Sequence, residues 1–101
     1  MLISGGKDAH LRLWNWKTGE CTKEVPAHNF SIYRLIQMGG QVISISRDKT
    51  IKTWSNDLNF LQRLDVKEGG HRHSVNDAIV LDTTTFASVG DDKRILLWKK
   101  D

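Results

Sequence analysis

Alternating apolar and polar positions recur three times along the chain, and each time they end at a tryptophan. Residues 2–14, 42–54 and 86–98 superpose without a gap, and their closing tryptophans lie 40 and 44 residues apart. Within each segment a polar turn precedes apolar side chains two positions apart, such as Leu11 and Leu13. Side chains with this spacing lie on one face of a strand. Each segment therefore predicts two short strands joined by a tight turn.

A serine and an aspartate hold fixed places in all three segments. The serine lies ten positions before the tryptophan and the aspartate lies six positions before it. Two polar residue types at constant offsets indicate an internal repeat of about 40 residues. The three sets are Ser4, Asp8 and Trp14; Ser44, Asp48 and Trp54; and Ser88, Asp92 and Trp98.

Further strands are expected between these segments. Residues 21–25 and 60–66 follow turn signals after a tryptophan, and residues 31–37 and 74–81 complete the repeat. Ile32, Leu35 and Ile36 have helical spacing, but the run that holds them is too short for a typical helix. The repeat therefore favours strands there as well, and the expected fold class is all-β.

Composition and charge narrow the function classes. The 101 residues are 39% hydrophobic and 27% charged, which is typical of a globular domain. No apolar run approaches the length of a membrane-spanning helix, so we expect no membrane association and a cytoplasmic protein. The net charge of +3 is scattered, and it permits nucleic-acid binding without indicating it. The single cysteine, Cys21, is expected to be a small buried or half-buried filler.

The chain resembles the WD-repeat β-propellers. That family combines a period of about 40 residues with a Gly-His near the start of the repeat and a Trp-Asp at its end. Gly70-His71 supplies the first signature, and Ala27-His28 supplies it with alanine in place of glycine. The aspartate after each tryptophan is replaced by Asn15, Ser55 and Lys99. The resemblance implies a partial WD-repeat β-propeller of four-stranded antiparallel blades.

The same resemblance divides the chain into blades. Residues 1–25 would form the outer three strands of an incomplete blade, residues 26–66 a complete blade, and residues 67–101 the inner three strands of an incomplete C-terminal blade. The expectation is a C-terminal portion, about two and a half blades, of a longer propeller whose remaining blades are partners of this chain. Head-to-tail copies of the chain would supply neither missing strand.

The recurring polar residues have two interpretations. His28, Ser44 and Asp48 resemble a hydrolase triad, but the set recurs as His71, Ser88 and Asp92, and a triad duplicated in tandem is implausible. In the resembling family these residues form a buried hydrogen-bond chain from tryptophan through serine and histidine to aspartate. The resemblance therefore implies no catalytic residue and a structural network of His28, Ser44, Asp48, Trp54, His71, Ser88, Asp92, Trp98, Ser4, Asp8 and Trp14.

Cofactor and metal signatures are weak. His71 and His73 lie two positions apart, but no set of cysteines or carboxylates accompanies them as zinc ligands would require. The glycine pairs lack the lysine or the further glycine of a phosphate-binding loop. We therefore expect neither a metal nor a cofactor.

Family resemblance implies a non-catalytic scaffold that binds other proteins or peptides through the loops that carry the aspartate turns. Tyr33 and Arg47 are the leading candidates, because tyrosine and arginine are enriched in binding hot spots. The alternative is a basic face for nucleic acid or acidic partners, of which nucleic acid is the less favoured. The remaining candidate contact residues are Lys7, Ser31, Lys49, Ser74, Asn76, Asp91 and Lys93.

Overall fold

The computed structural model describes residues 1–100 as three antiparallel sheets in chain order. The predicted all-β class is confirmed. Asp101, the last residue of the expected third blade, lies outside the described residues. The first sheet contains β1 (Leu2–Gly5), β2 (His10–Asn15) and β3 (Glu20–Pro26); the second contains β4 (Ile32–Met38), β5 (Gln41–Ser46), β6 (Ile51–Ser55) and β7 (Phe60–Leu64); the third contains β8 (Val75–Asp82), β9 (Thr85–Gly90) and β10 (Ile95–Lys99).

The runs with helical spacing are the strands β4 and β8, as the repeat predicts. Within β4, Leu35 pairs with Ser44 and Ile36 pairs with Ile43 across the sheet. Consecutive strand residues point to opposite faces, and both faces of the second sheet are covered by a neighbouring sheet. Leu35 packs toward the first sheet and Ile36 packs toward the third. Two consecutive residues of one strand are therefore both apolar, although their spacing alone is also that of a helix.

Two apolar clusters join the sheets. The cluster between the first and second sheets consists of Leu11, Leu13, Ala27, Val42, Trp54 and Leu58. The cluster between the second and third sheets consists of Met38, Ile43, Ile45, Ile51, Leu64, Val75, Ala78 and Phe86. Burial of these side chains is the main favourable contribution to the association of the sheets.

The outer faces of the first and third sheets have no covering sheet among residues 1–100. On the third sheet the alternation places Ile79, Val89, Ile95 and Leu97 on the outer face, and Ile95 is 75% exposed and Leu97 69% exposed. On the first sheet the outer face carries Trp14, since Leu11 and Leu13 point toward the second sheet. Both ends of the stack thus present a sheet face to solvent.

The three aspartate turns share one backbone conformation. The residue after the aspartate is left-handed in each turn, with φ of 67° at Ala9, 75° at Lys49 and 62° at Lys93. Each aspartate side chain accepts a hydrogen bond from the backbone N–H two residues later. Aspartate is favoured in turns because it can make this local bond.

Three features extend or correct the sequence expectations. β7 ends at Leu64, and a short 3-10 helix, Val66–Glu68, follows it with a capping box between Asp65 and Glu68. The expectation that Cys21 is buried or half-buried is wrong, because it lies exposed on the edge strand β3. Within residues 1–100 no helix is long and apolar enough to cross a membrane.

Candidate functional site

A chain of hydrogen bonds runs through the second sheet from Trp54 to Asp48. The Trp54 indole N–H donates to Ser44 Oγ at 2.9 Å, and Ser44 Oγ lies 2.7 Å from His28 Nε2. The other ring nitrogen, His28 Nδ1, lies 2.9 Å from Asp48 Oδ2. These bonds tie the loop before β4 and the turn between β5 and β6 to the centre of the sheet.

The proton positions follow from the partners. An ionised carboxylate only accepts hydrogen bonds, so the tautomer that fits has the proton on His28 Nδ1, whose N–H donates a hydrogen bond to Asp48. With the ring in that tautomer, Nε2 is the acceptor for the hydroxyl of Ser44, which itself accepts from Trp54. Ser44 is fully buried, so a substrate cannot reach its oxygen despite the triad-like order of groups.

The third sheet repeats the arrangement. Trp98 Nε1 donates to Ser88 Oγ at 2.9 Å, and Ser88 Oγ lies 2.8 Å from His71 Nε2. His71 Nδ1 lies 3.0 Å from Asp92, whose carboxylate also accepts the backbone N–H of Arg72 at 3.0 Å. Ser88, like Ser44, is fully buried.

The first sheet contains only part of the arrangement. Trp14 Nε1 donates to Ser4 Oγ at 2.8 Å, so these two residues are joined as in the other sheets. Asp8 is not part of the chain, and its carboxylate instead accepts from Arg12 at 2.6 Å. Arg12 also donates to Glu24 at 2.9 Å, which makes an exposed ion-pair network on the outer face.

The pKa values of both network aspartates lie below the ordinary value for aspartate. Burial raises the pKa of Asp48, but the hydrogen bonds from His28, Thr50 and the backbone of Asn29 outweigh it and hold the pKa well below its ordinary value. Burial likewise raises the pKa of Asp92, and the backbone N–H of Arg72 together with His71 lowers it to about 2. Both carboxylates are therefore ionised at neutral pH.

Several partly buried contacts are absent from the sequence prediction. Thr50 Oγ1 donates to Asp48 at 2.6 Å, and Ser46 Oγ donates to the carbonyl of Ser31 at 2.8 Å. The carbonyl before each histidine also accepts a cation: Lys52 donates to that of Ala27, and Arg94 to that of Gly70. Burial lowers the pKa of Lys52. Lys52 and Arg94 occupy different repeat positions, so superposed segments do not reveal their common role.

A separate edge of the sheets, here called the turn face, carries the aspartate turns and the loops that enter β4 and β8. Its backbone is linked from sheet to sheet. Arg47 N donates to Ser31 O at 3.1 Å, Ser74 Oγ donates to Arg47 O at 3.3 Å, and Asp91 N donates to Ser74 O at 3.0 Å. The turn face is defined by Lys7, Phe30, Ser31, Tyr33, Arg47, Lys49, Ser74, Asn76, Asp91 and Lys93.

The candidate contact residues divide into two groups on this face. In addition to the bonds above, Asn76 donates to the Asp91 carboxylate. Hydrogen bonds therefore join five of the candidates: Ser31, Arg47, Ser74, Asn76 and Asp91. The other four are placed on the same turns and strand ends without a side-chain hydrogen bond or ion pair to this group within residues 1–100: Lys7, Tyr33, Lys49 and Lys93.

Phe30 is a turn-face residue that sequence reasoning missed. It is 55% exposed, and the guanidinium carbon of Arg47 lies 5.7 Å from the centre of its ring. Tyr33 is 47% exposed on the adjacent strand β4. Phe30 lies two residues after the network histidine, where the third segment has His73, so no repeated residue type marks the position.

No group of three or more histidine, cysteine or acidic side chains is arranged for metal binding in the described part of the chain. His73 is exposed in the loop before β8, while His71 is buried in the network. The two histidines thus have different surroundings and do not form a common site.

Comparisons with known proteins identify the same repeat. The family profile described as WD domain, G-beta repeat matches residues 19–55. A nuclear distribution protein PAC1-1 from Uncinocarpus reesii is 35% identical over 82 residues, 74% of this chain and 17% of that protein. A Polycomb group protein FIE1 from Zea mays is 27% identical over 103 residues, 97% of this chain and 22% of that protein. The chain thus spans about a fifth of the length of these curated relatives.

Solved structures agree with the sheet arrangement. The WD40 β-propeller domain of Doa1 superposes with a TM-score of 0.77 at 28% identity, over 96% of this chain and 32% of that one. The computationally designed Ika4 protein superposes with a TM-score of 0.82 at 26% identity, over 98% of this chain and 59% of that one.

The stacked antiparallel sheets, joined face to face and held internally by repeated polar chains, define a partial β-propeller. This chain belongs to the WD40-repeat family, which confirms the resemblance found in the sequence. Members of that family typically mediate protein–protein interaction, and WD40 propellers are generally non-catalytic.

Proposed function

We propose that the chain is a non-catalytic interaction scaffold whose turn face binds peptide segments of other proteins. The observation that carries this proposal is a pair of aromatic side chains, Phe30 and Tyr33, each about half exposed and close in sequence, with Arg47 against the Phe30 ring. Aromatic residues and arginine dominate the energetics of protein interfaces. The exposed polar residues of the turn face would contribute hydrogen bonds at the margin of the interface.

Rigidity of the turn face supports the proposal. The backbone of Arg47 is held on both sides, by Ser31 and by Ser74. The adjacent aspartate, Asp48, is anchored to His28 in the sheet interior. A surface ordered before binding loses little conformational entropy when a partner docks. The buried network would therefore serve the binding surface without contacting the partner.

The non-catalytic part of the proposal rests on the burial of Ser44 and Ser88. Both side chains are fully inaccessible to solvent, and each accepts an indole N–H and lies within hydrogen-bonding distance of a histidine ring nitrogen. We expect no reaction with an activated-serine probe such as a fluorophosphonate. Stoichiometric labelling of Ser44 or Ser88 in the folded chain would contradict the proposal and support a hydrolase.

A second candidate function is binding of nucleic acid or an acidic surface. It is favoured by the cations Lys7, Arg47, Lys49 and Lys93, none of which pairs with a carboxylate within residues 1–100. Such binding would weaken steeply with added salt. The exposed carboxylate of Asp91 on the same face argues against a continuous phosphate backbone as the ligand.

Selection from a phage-displayed random peptide library on the immobilised chain tests the main proposal. We expect selected peptides to bind the wild-type chain and to lose binding to the Tyr33→Ala, Arg47→Ala double variant. Lys17→Ala is the control, because Lys17 lies in the exposed turn between β2 and β3, at the opposite edge of the sheets, and its ammonium lies 5.6 Å from the centre of the Trp16 ring. The unfolding midpoint should be the same for all three proteins.

Equal binding of the selected peptides to the double variant would refute the placement of the binding surface. A loss of binding that accompanied a lowered unfolding midpoint would also count against it. In that case the substitutions would act on the fold and not on a contact surface.

We further propose that additional WD-type sheets of a longer propeller cover the outer faces of the first and third sheets. The exposed apolar side chains of Ile95 and Leu97 support this.

We also propose that the protein is cytoplasmic, in accord with a single free cysteine, Cys21, and no disulfide among the described residues.

A further inference from the structure

We infer that Arg47, held against Phe30, receives a carboxylate side chain of the partner peptide, an aspartate or glutamate next to a bulky apolar residue. This inference rests on the proposed function, because it names the chemistry that the turn face recognises. It follows from the geometry of Arg47, the charges around it and the apolar surface beside it.

The Arg47 guanidinium is oriented but has no acidic partner. Its backbone is fixed by Ser31 and Ser74, and its guanidinium carbon lies 5.7 Å from the centre of the Phe30 ring. A guanidinium that rests on an aromatic ring retains N–H groups at its edge, and their planar fork matches a carboxylate. Within residues 1–100 no carboxylate occupies that fork.

Four other arginines of the chain have an acidic partner, and Arg72, which has none within residues 1–100, has no aromatic ring beneath its guanidinium there. Arg12 pairs with Asp8 and Glu24, and Arg63 pairs with Asp65. Ion pairs of this kind satisfy the guanidinium within the chain. Arg47 therefore stands out as an arginine with an aromatic support and an available binding edge.

The local charge favours an anion. Lys49 lies in the same turn as Arg47, and Lys7 follows Gly6, whose carbonyl accepts the N–H of Ile32 at the start of β4. The nearest carboxylate in sequence, Asp48, is directed inward to His28 and the N–H of Asn29, where it is satisfied. A partner carboxylate would thus meet a positive surface.

The surroundings favour an acidic peptide over a phosphate backbone. Exposed Phe30 offers apolar surface next to the Arg47 guanidinium, and Tyr33 is exposed three residues further along the chain. Asp91, linked to Arg47 through Ser74, places a negative charge one sheet further along. A continuous row of phosphates would cross that charge, whereas a single acidic side chain beside an apolar one would not.

Matched peptides test this assignment. The chain, labelled with ¹⁵N, is titrated with acetyl-Leu-Glu-Leu-Gly-amide and with its twin containing glutamine in place of glutamate. NMR follows the Arg47 side-chain Nε–Hε signal and the backbone signals of Phe30 and Tyr33. At low salt we expect the glutamate peptide to shift these signals and to bind about tenfold more tightly than its twin.

Variants of Arg47 separate the contribution of its charge from that of its planar guanidinium. Arg47→Gln should abolish the preference for glutamate, and Arg47→Lys should retain only part of it, because lysine keeps the charge but loses the planar fork. Lys17→Gln, the control in the turn between β2 and β3 at the opposite edge of the sheets, should retain the full preference. A preference that survives in Arg47→Gln would overturn the inference.

The remaining outcomes are equally decisive. If both peptides shift the turn face equally, the carboxylate inference is wrong and the proposed function stands. If neither peptide shifts Arg47, the inference is also wrong, and the peptide-library selection alone decides the proposed function. If a ten-residue oligothymidylate shifts Arg47 at lower concentration than the glutamate peptide, the inference fails in favour of nucleic-acid binding.

Discussion

Trp14 donates its indole N–H to Ser4 at 2.8 Å, the bond that Trp54 makes to Ser44 at 2.9 Å, yet only Ser44 also bonds to a histidine. Ser4 is partly exposed and Ser44 is fully buried. The chain therefore contains the same Trp–Ser pair in two environments. This allows the energetic contribution of the longer network to be measured within one molecule.

Substitution of the two serines should have unequal effects. Ser44→Ala leaves the buried Trp54 donor and the His28 ring acceptor without partners, and we expect it to lower the free energy of unfolding by about 2–4 kcal/mol. Ser4→Ala should lower it by about 1 kcal/mol or less, since water can replace the lost bond. Denaturant unfolding followed by circular dichroism measures both. Equal losses would mean that the histidine link adds no stability.

Acid should destabilise the protein through the network aspartates. The pKa of folded Asp92 is about 2, below its ordinary value of 3.8. A depressed folded pKa stabilises the fold above the unfolded pKa, and that contribution is lost as the pH falls. Stability should therefore decrease between about pH 4 and pH 2, with Asp48 extending the decrease to lower pH.

Denaturant unfolding at a series of pH values checks this expectation. Asp92→Asn removes the titrating group and should give a smaller change across the same interval. Asp57→Asn, in the exposed turn after β6, is the matched control and should follow the wild-type curve. An Asp92→Asn curve parallel to that of the wild type would exclude Asp92 as a source of the pH dependence.

Gly90 should not tolerate a side chain. A Cβ atom there would lie 2.8 Å from His71 Nδ1 and 2.8 Å from the carbonyl oxygen of Ser74, so both neighbours would have to move. We expect Gly90→Ala to cost about 1–3 kcal/mol, the range typical of overpacking. Gly40→Ala meets no atom within 4 Å and should change stability by less than about 0.5 kcal/mol. Thermal unfolding compares the two, and similar midpoints would disprove the predicted collision.

Two apolar strand residues should differ sharply in their contribution to stability. Ile43 is fully buried between the second and third sheets, so Ile43→Ala should cost about 2–5 kcal/mol. Leu97 is 69% exposed on the outer face of the third sheet, and Leu97→Ala should cost less than about 0.5 kcal/mol. Denaturant midpoints measure both losses. A large loss for Leu97→Ala would show that the outer face is covered in solution, for example by self-association.

Much of the fold was predictable because the repeat restricts it. In isolation, the spacing of Ile32, Leu35 and Ile36 is equally consistent with a short helix. Recurrence of the flanking segments resolves the choice in favour of a strand, in which Leu35 packs toward the first sheet and Ile36 toward the third. The exposure of Cys21 was not predictable from residue type, since it depends on which sheet face is left uncovered.

The candidate site was predictable only where residues recur. Constant spacing selects Ser44, Asp48 and Trp54, and the structure places them within hydrogen-bonding distance of one another or of His28. Phe30 occurs in a single segment and lies in a loop, so no pattern marks it. Its relevance comes from a contact with Arg47 across 17 positions of sequence, which only the folded chain provides.

The network also gives the protein an intrinsic optical reporter. Arg47 immediately precedes Asp48, and the bonds from Asp48 through His28 and Ser44 end on the indole N–H of Trp54. Indole emission responds to its hydrogen bonding and to nearby charge. A ligand that displaces the Arg47 turn would therefore change Trp54 fluorescence, and Trp16→Phe would remove the emission of the most exposed indole. Ligand binding at the turn face could then be followed through the emission of Trp54, without an attached dye.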